Sequence, residues 1–217
     1  MIRGIIFDLD GTLLDTLDDL ANALNYMLKR KGLPLKSKEE IRYLLGYGAL
    51  KIVTDSLPVD SKSDEIDECL NIFLNRYAAH QNDFTRPYDD IIYLLEELKN
   101  KYKLAIVSNK VDNVVKQLNN DVFHGLIDLS LGEIQGVPVK PHPAMINMVI
   151  EKLNLTKHQV IYVGDSEVDI LTAKNSGLRS IGVTWGFRSI DTLIANKADH
   201  IISTPFELLK LLDKLNN

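Results

Sequence analysis

The chain has 217 residues, 45% of them hydrophobic, enough for one sizeable core or for a core domain carrying a smaller insert, which excludes a disordered chain. The formal charge of −5 comes from intermixed acidic and basic residues, with no run of Lys or Arg long enough to track a phosphate backbone, so nucleic acid is excluded as an expected partner. No stretch approaches the ~20 apolar residues of a membrane span, no signal-peptide pattern is present, and the single Cys69 cannot form an intramolecular disulfide; a soluble cytoplasmic protein without a membrane partner, monomer or homodimer, is expected.

The first element is a strand in "GIIFD" from Gly4. From Thr16 to about Phe84 the chain reads as helices only. "LDDLANALNYMLKRKG" sets Leu20, Leu24, Met27 and Leu28 on one face with Gly32 as its stop, "SKEEIRYLL" starts with a capping box of Ser37 and Glu40, and a long segment runs from Asp60 to His80. Strands then recur in "KLAIVSN" at Lys103, "VIYVGD" at Val160, "RSIGVT" at Arg179 and "HIIS" at His200, with "LIDLSL" at Leu126 a further candidate. "TPFE" from Thr204 opens the final helix, with Pro205 at its first position and Glu207 reaching back.

Short Ile/Val-rich runs alternating with helical segments predict an α/β fold, a Rossmann-like three-layer domain with a parallel sheet covered on both faces. The gap between the first two strands is roughly ninety residues, where a βαβ unit commonly takes about thirty. A small α-helical domain over 16–85 is therefore expected to interrupt a core domain formed by 1–15 and 86–217, with crossings near Leu14–Thr16 and Arg86–Pro87.

The residues with chemistry stand where strands run out, the edge at which open α/β sheets bind ligands. Asp8 and Asp10 lie two apart, so on an extended chain both carboxylates point the same way, and Gly11 and Thr12 follow directly. Ser108, Asn109 and Lys110 end the next strand, "KPHP" supplies Lys140, and "GDSEVD" supplies Asp165, Glu167 and Asp169. Singly, each has a dull reading as an Asx turn, a helix cap or a solvated cation. In this order they supply a nucleophile, an acid, a hydroxyl donor, a cation and a third carboxylate, the set that phosphoryl transfer needs.

A phosphate ester must lose negative charge before a carboxylate can approach it, so a divalent cation is expected. Mg²⁺ commonly takes one or two protein carboxylates, here Asp8 and Asp165 with a main-chain oxygen around Asp10. Asp8 could then attack phosphorus, with Asp10 as proton donor and Ser108 and the Asn109 amide on the transferring oxygens. Asp169 lies one turn into the next helix, either orienting Lys140 or a metal-bound water or simply facing solvent. The five histidines are scattered singly and receive no role.

These segments resemble the haloacid dehalogenase superfamily of aspartyl-phosphate-forming enzymes: "DLDGT" its first motif, "VSN" its second, Lys140 its third and "GDSEVD" its fourth. The resemblance implies Asp8 as nucleophile, Asp10 as general acid and base, Ser108 and Lys140 as phosphate-binding residues, Asp165 as the additional Mg²⁺ ligand, and the helical insert as a mobile cap. Within that superfamily the cap stretch "IRYLLGYGALKIV" and "GVTWGFRS" are similar to phosphoglycolate phosphatases, although Asp89 and Asp90 replace the Pro-Gly pair often found there. Gly46 and Gly48 could bring main-chain amides to a substrate carboxylate or form a helix-joining loop. The implied activity is hydrolysis of a small phosphorylated metabolite, 2-phosphoglycolate foremost. The alternatives are a sugar-phosphate, nucleotide or pyrophosphate hydrolase, a phosphosugar mutase, and a binding module on an inactive core. A dehalogenase or phosphonatase has no use for the second aspartate, Asp10.

Overall fold

Four successive buried residues, Gly4–Phe7, make β1, and their burial on both faces is what places this strand in the middle of the sheet rather than at an edge. The structure, a computed structural model, describes residues 1–216. Two compact units emerge, Met1–Leu14 with Pro87–Asn217 and Asp15–Arg86. Each is built around its own buried apolar residues.

After β1 the chain passes through β2 (Leu14–Asp15), α1 (Leu17–Arg30), α2 (Lys38–Leu44), α3 (Ala49–Thr54), α4 (Ser63–His80) and β3 (Arg86–Pro87). It continues with α5 (Ile91–Lys99), β4 (Lys103–Val111), α6 (Asp112–Phe123), β5 (Leu129–Glu133) and α7 (Ala144–Lys152). Then come β6 (Val160–Gly164), α8 (Glu167–Ser176), β7 (Arg179–Val183), α9 (Ile190–Ala195), β8 (His200–Ile202) and α10 (Pro205–Asn216). The larger unit holds a six-stranded sheet in the order β5-β4-β1-β6-β7-β8, and its pairings are parallel. This is the three-layer α/β fold that the alternating runs predict.

β1 lies between β4 and β6, so the strand order reverses beside it and opens a crevice at the carboxyl ends. Phe7 pairs with both Ile106 and Val163, which brings the residues just beyond them, Asp8, Ser108 and Asp165, to one edge. The pairing of β4 with β5 shifts register between Val107 and Val111, so the irregular stretch carries Ser108, Asn109 and Lys110. Below that edge, Ile6, Val107 and Tyr162 pack with Met145, Ile146 and Val149 of α7 and Ala173 of α8. Each such apolar side chain stabilises the core by about 1.5–3 kcal/mol on burial.

In the unit of 15–86, α1 buries Leu20, Leu24, Met27 and Leu28, and α4 buries Cys69, Phe73 and Tyr77 at helical spacing. The Ser37–Glu40 capping box forms. Buried Asp19 accepts from the amides of Phe84 (3.1 Å) and Thr85 (2.8 Å) and from the Thr85 hydroxyl (2.7 Å), fixing the returning chain to the start of α1.

Two local expectations differ from the structure, and one short helix had none. The strand near Leu126 forms later, at Leu129–Glu133, because Asp128 turns back to accept from the Leu104 amide. The short α3 has no separate signal in the sequence, since it begins at Gly48, which has φ 89°. Glu207 reaches the Ser203 amide at 3.0 Å, one residue before the expected cap. Asp90 adopts φ 62°, a left-handed conformation that Asp tolerates better than most residues.

Candidate active site

Where β1 ends, Asp8 remains tied to the sheet by its amide, which donates to Val163 O at 2.9 Å. The chain then turns back at once, with the Leu13 and Leu14 amides both reaching Leu9 O at 3.0 Å and Gly11 at φ 87°. Only glycine suits Gly11, because a Cβ there would lie 2.5 Å from the Asp165 carboxylate as well as in a left-handed conformation.

Lys140 joins the segments. Its ammonium, almost wholly buried, donates to Asp8 Oδ1 at 2.7 Å, Asp169 Oδ1 at 2.8 Å and the Tyr162 hydroxyl at 3.0 Å. Asn109 sets the backbone there, its amide group pairing with both the N–H (2.8 Å) and the carbonyl (2.9 Å) of Lys140. Asp169 does not face solvent. It is fully buried, and its second oxygen accepts from the Ser166 amide (3.1 Å) and hydroxyl (2.6 Å) to close a capping box on α8.

Asp165 sits in a cage of its own. Thr12 Oγ1 donates to it at 3.1 Å and the Phe187 amide at 2.7 Å, while a Cβ on Gly186 would meet Asp165 Cβ at 2.3 Å. The segment after β7 therefore wraps the acid, and Trp185 Nε1 fastens it by donating to Thr12 O at 3.0 Å. Arg188 pairs with Glu167 through Nε (2.8 Å) and Nη2 (3.2 Å), which gives Glu167 a partner that its place in "GDSEVD" does not announce.

Asp10 points to a different partner, with Lys110 Nζ at 2.8 Å from each of its oxygens. Its carboxylate is not among those that converge with Asp8. Ser108 is buried, and its Oγ accepts from the Lys110 amide at 3.3 Å. Gly46 (φ 110°) and Gly48 (φ 89°) link α2 to α3 within the 15–86 unit.

Charge decides what the core site can hold. Asp8, Asp165 and Asp169 each offer an oxygen within 4.8 Å of the others, all three buried, with Lys140 the ammonium bonded among them. Burial, then the neighbouring Asp169 charge, pushes the Asp165 carboxyl up to about 7. Burial and Asp169 likewise hold Asp8 well above the usual carboxylate range. Burial works against the Lys140 ammonium, but Asp169 and Asp8 outweigh it and keep it firmly protonated. Fully ionised, the three carboxylates would carry more buried negative charge than one lysine offsets, and a divalent cation is the partner that oxygen ligands of this kind suit. Both Asp169 oxygens are engaged, one of them by the Lys140 ammonium, whereas the two Asp165 oxygens accept from neutral donors, Thr12 Oγ1 and the Phe187 amide.

Sequence reasoning assigns no role to Lys110, Tyr162, Trp185, Gly186, Phe187 or Arg188. For the last four the signal present is "TWGFRS" at the end of a strand; for Tyr162 there is none, since a tyrosine in an apolar run reads as core.

Known proteins share this fold and much of this sequence. The sequence profile described as haloacid dehalogenase-like hydrolase matches residues 5–183. A phosphoglycolate phosphatase of Aquifex aeolicus (strain VF5) is 32% identical over 98% of this chain and 97% of its own length, and one of Vibrio parahaemolyticus is 31% identical over 97% and 96%. Among solved structures, a candidate phosphoglycolate phosphatase from Lactobacillus delbrueckii subsp. bulgaricus superposes with a TM-score of 0.91 at 34% identity, covering 95% of this chain and 96% of that one. A haloacid dehalogenase-like family protein from Streptococcus pneumoniae gives 0.89 at 29% identity, covering 97% and 98%. With a profile match across both sides of the insert and relatives of similar length, the chain belongs to the haloacid dehalogenase-like hydrolases.

Proposed function

We propose that this protein is a Mg²⁺-dependent phosphatase that hydrolyses a small phosphomonoester through an aspartyl-phosphate on Asp8, with 2-phosphoglycolate as the leading substrate. The observation that carries the reading is Asp8 itself, a buried carboxylate bonded at 2.7 Å to a buried lysine at the carboxyl edge of a parallel sheet. The names of its relatives supply the substrate.

Asp8 and Asp165, with a main-chain oxygen near Asp10, would hold the cation, which would supply positive charge against the phosphate and favour the ionised form of Asp8. An Asp8 oxygen forms a bond to phosphorus as the ester P–O bond breaks, and the departing alkoxide takes a proton from Asp10. Water then attacks the phosphorus of the aspartyl-phosphate, Asp10 takes its proton, and inorganic phosphate leaves with Asp8 restored. Ser108 and the Asn109 amide hold the transferring oxygens, where a preorganised donor commonly contributes about 3 kcal/mol to the transition state. Lys140 keeps Asp8 in line, Asp169 keeps Lys140 in place, and Thr12 serves the site through Asp165.

The helical insert, 16–85, is the unit to which this reading assigns the choice of substrate. We place the protein in the cytoplasm, where its one buried thiol, Cys69, meets no oxidising partner.

The test is phosphate release from a panel of 2-phosphoglycolate, sugar phosphates, nucleoside monophosphates and pyrophosphate, with Mg²⁺ or EDTA and with Asp8→Asn as the blank. A strong preference for 2-phosphoglycolate that needs Mg²⁺ and Asp8 is expected. A flat profile would remove the substrate assignment, and isomer products without free phosphate would replace the phosphatase with a mutase.

A further inference from the structure

A lysine ammonium has three N–H donors, and all three of Lys140 are in use: Asp8 Oδ1 at 2.7 Å, Asp169 Oδ1 at 2.8 Å and Tyr162 Oη at 3.0 Å. A phosphoryl oxygen that is to be bound by Lys140 must therefore replace one of these acceptors. The two carboxylates make the shorter, charge-assisted bonds, and losing either would leave a buried anion without its cation. The tyrosine bond is the longest and the only one to a neutral acceptor.

Tyr162 is also the partner that gives up this bond most cheaply. Its own proton still has acceptors in Val107 O and Asp169 Oδ1, each at 3.2 Å, so the hydroxyl stays satisfied without the lysine. The ring cannot withdraw, because Tyr162 sits on a central strand with 1% of its surface exposed. The exchange thus needs only a turn of the ammonium, which remains 5.6 Å from the ring centroid.

We propose that Tyr162 is a positioning residue whose hydroxyl is the exchangeable third acceptor of Lys140: it holds the ammonium beside Asp8 in the free enzyme and yields one N–H to a phosphoryl oxygen on binding. The inference rests on the phosphatase reading. It carries an unusual consequence, since removing the hydroxyl leaves a buried N–H without an acceptor until phosphate supplies one, so the variant gains affinity for phosphate.

Calorimetric titration of inorganic phosphate into the Mg²⁺-loaded protein and into Tyr162→Phe tests this. The expected result is dissociation about tenfold tighter in the variant, with slower turnover because phosphate leaves more slowly. Tyr162→Met, which also lacks the hydroxyl, carries the same expectation should the Phe variant misfold. A tyrosine that merely packs the core would leave phosphate affinity unchanged or weaken it, and either result overturns the proposal, as does a wild-type protein that binds no phosphate. Turnover by the wild type together with unchanged affinity in both variants would overturn the role of Tyr162 alone; absence of turnover on every ester would remove the phosphatase reading.

Discussion

Lys110 places its ammonium 2.8 Å from both carboxylate oxygens of Asp10, and only 6% of the lysine side chain is exposed. In the proposed mechanism the Asp10 oxygen that delivers a proton to the leaving group has to part from this ammonium, which would give Lys110 the part of setting where Asp10 rests between turnovers. Lys110→Met is expected to lower kcat on an alkyl phosphate by about tenfold, within the range of general acid catalysis. An activated aryl phosphate, which leaves without a proton, should change less than about threefold. Steady-state kinetics on the two substrates decide it: an equal loss on both would assign Lys110 to folding rather than to Asp10.

The Asp165 carboxyl, raised by burial to about 7 from an ordinary 3.8, makes the metal-free protein sensitive to pH. Because the folded chain binds more protons than the unfolded one between these values, stability falls as pH rises from about 4 to about 7 and then levels. Asp8, raised in the same direction by burial and Asp169, adds to the fall. A cation that binds the ionised carboxylates reverses the effect. Thermal unfolding at pH 5 and pH 8, each with Mg²⁺ or EDTA, should show a larger rise in Tm from Mg²⁺ at pH 8. An equal rise at both would mean that the ion binds elsewhere.

Gly186 allows the loop after β7 to press on Asp165. Its absent Cβ would lie 2.3 Å from both Asp165 Cβ and Gly11 O, neither of which is the end of a flexible side chain. Gly186→Ala is expected to destabilise by about 3 kcal/mol, the upper end for overpacking, and to weaken Mg²⁺ binding at least about tenfold by displacing Asp165. Gly32→Ala is the control, since it has φ 66° but no atom within 4 Å of the added carbon. It should cost only the left-handed conformation, about 1–2 kcal/mol, and leave Mg²⁺ affinity unchanged. Urea unfolding and calorimetry separate the two; intact metal binding in Gly186→Ala would refute the clamp.

Asp19 closes the helical unit by holding the Phe84 and Thr85 amides and the Thr85 hydroxyl. Asp19→Ala strands those donors and should destabilise by about 3 kcal/mol, with hydrogen exchange accelerated first at Phe84 and Thr85. Protection there matching the wild type would show that other contacts keep the returning chain in place.

Much of this was legible before folding is considered. Strands of a sheet covered on both faces must be apolar throughout, which is why "GIIF", "LAIV" and "VIYV" stand out, and helices with one buried stripe keep a period near 3.6. Asp8, Ser108 and Asp165 were legible for a related reason: a strand ends where its apolar run ends, and the sheet aligns those ends. The short α3 was hidden because it has too few turns for a period to show.

The alternation of elements and the inventory of acids, hydroxyls and cations along the strand ends are written in the residue order, because they follow from local burial and chain direction. The pairings come from the fold, because they join residues far apart in the chain. Lys110 meets Asp10 across 100 positions, Lys140 meets Asp8 across 132, and Thr12 meets Asp165 across 153. Which carboxylate a cation reaches, and which oxygens remain for a metal, depends on how strand register brings these side chains to between 2.7 and 3.1 Å, a relation that the order of residues does not contain.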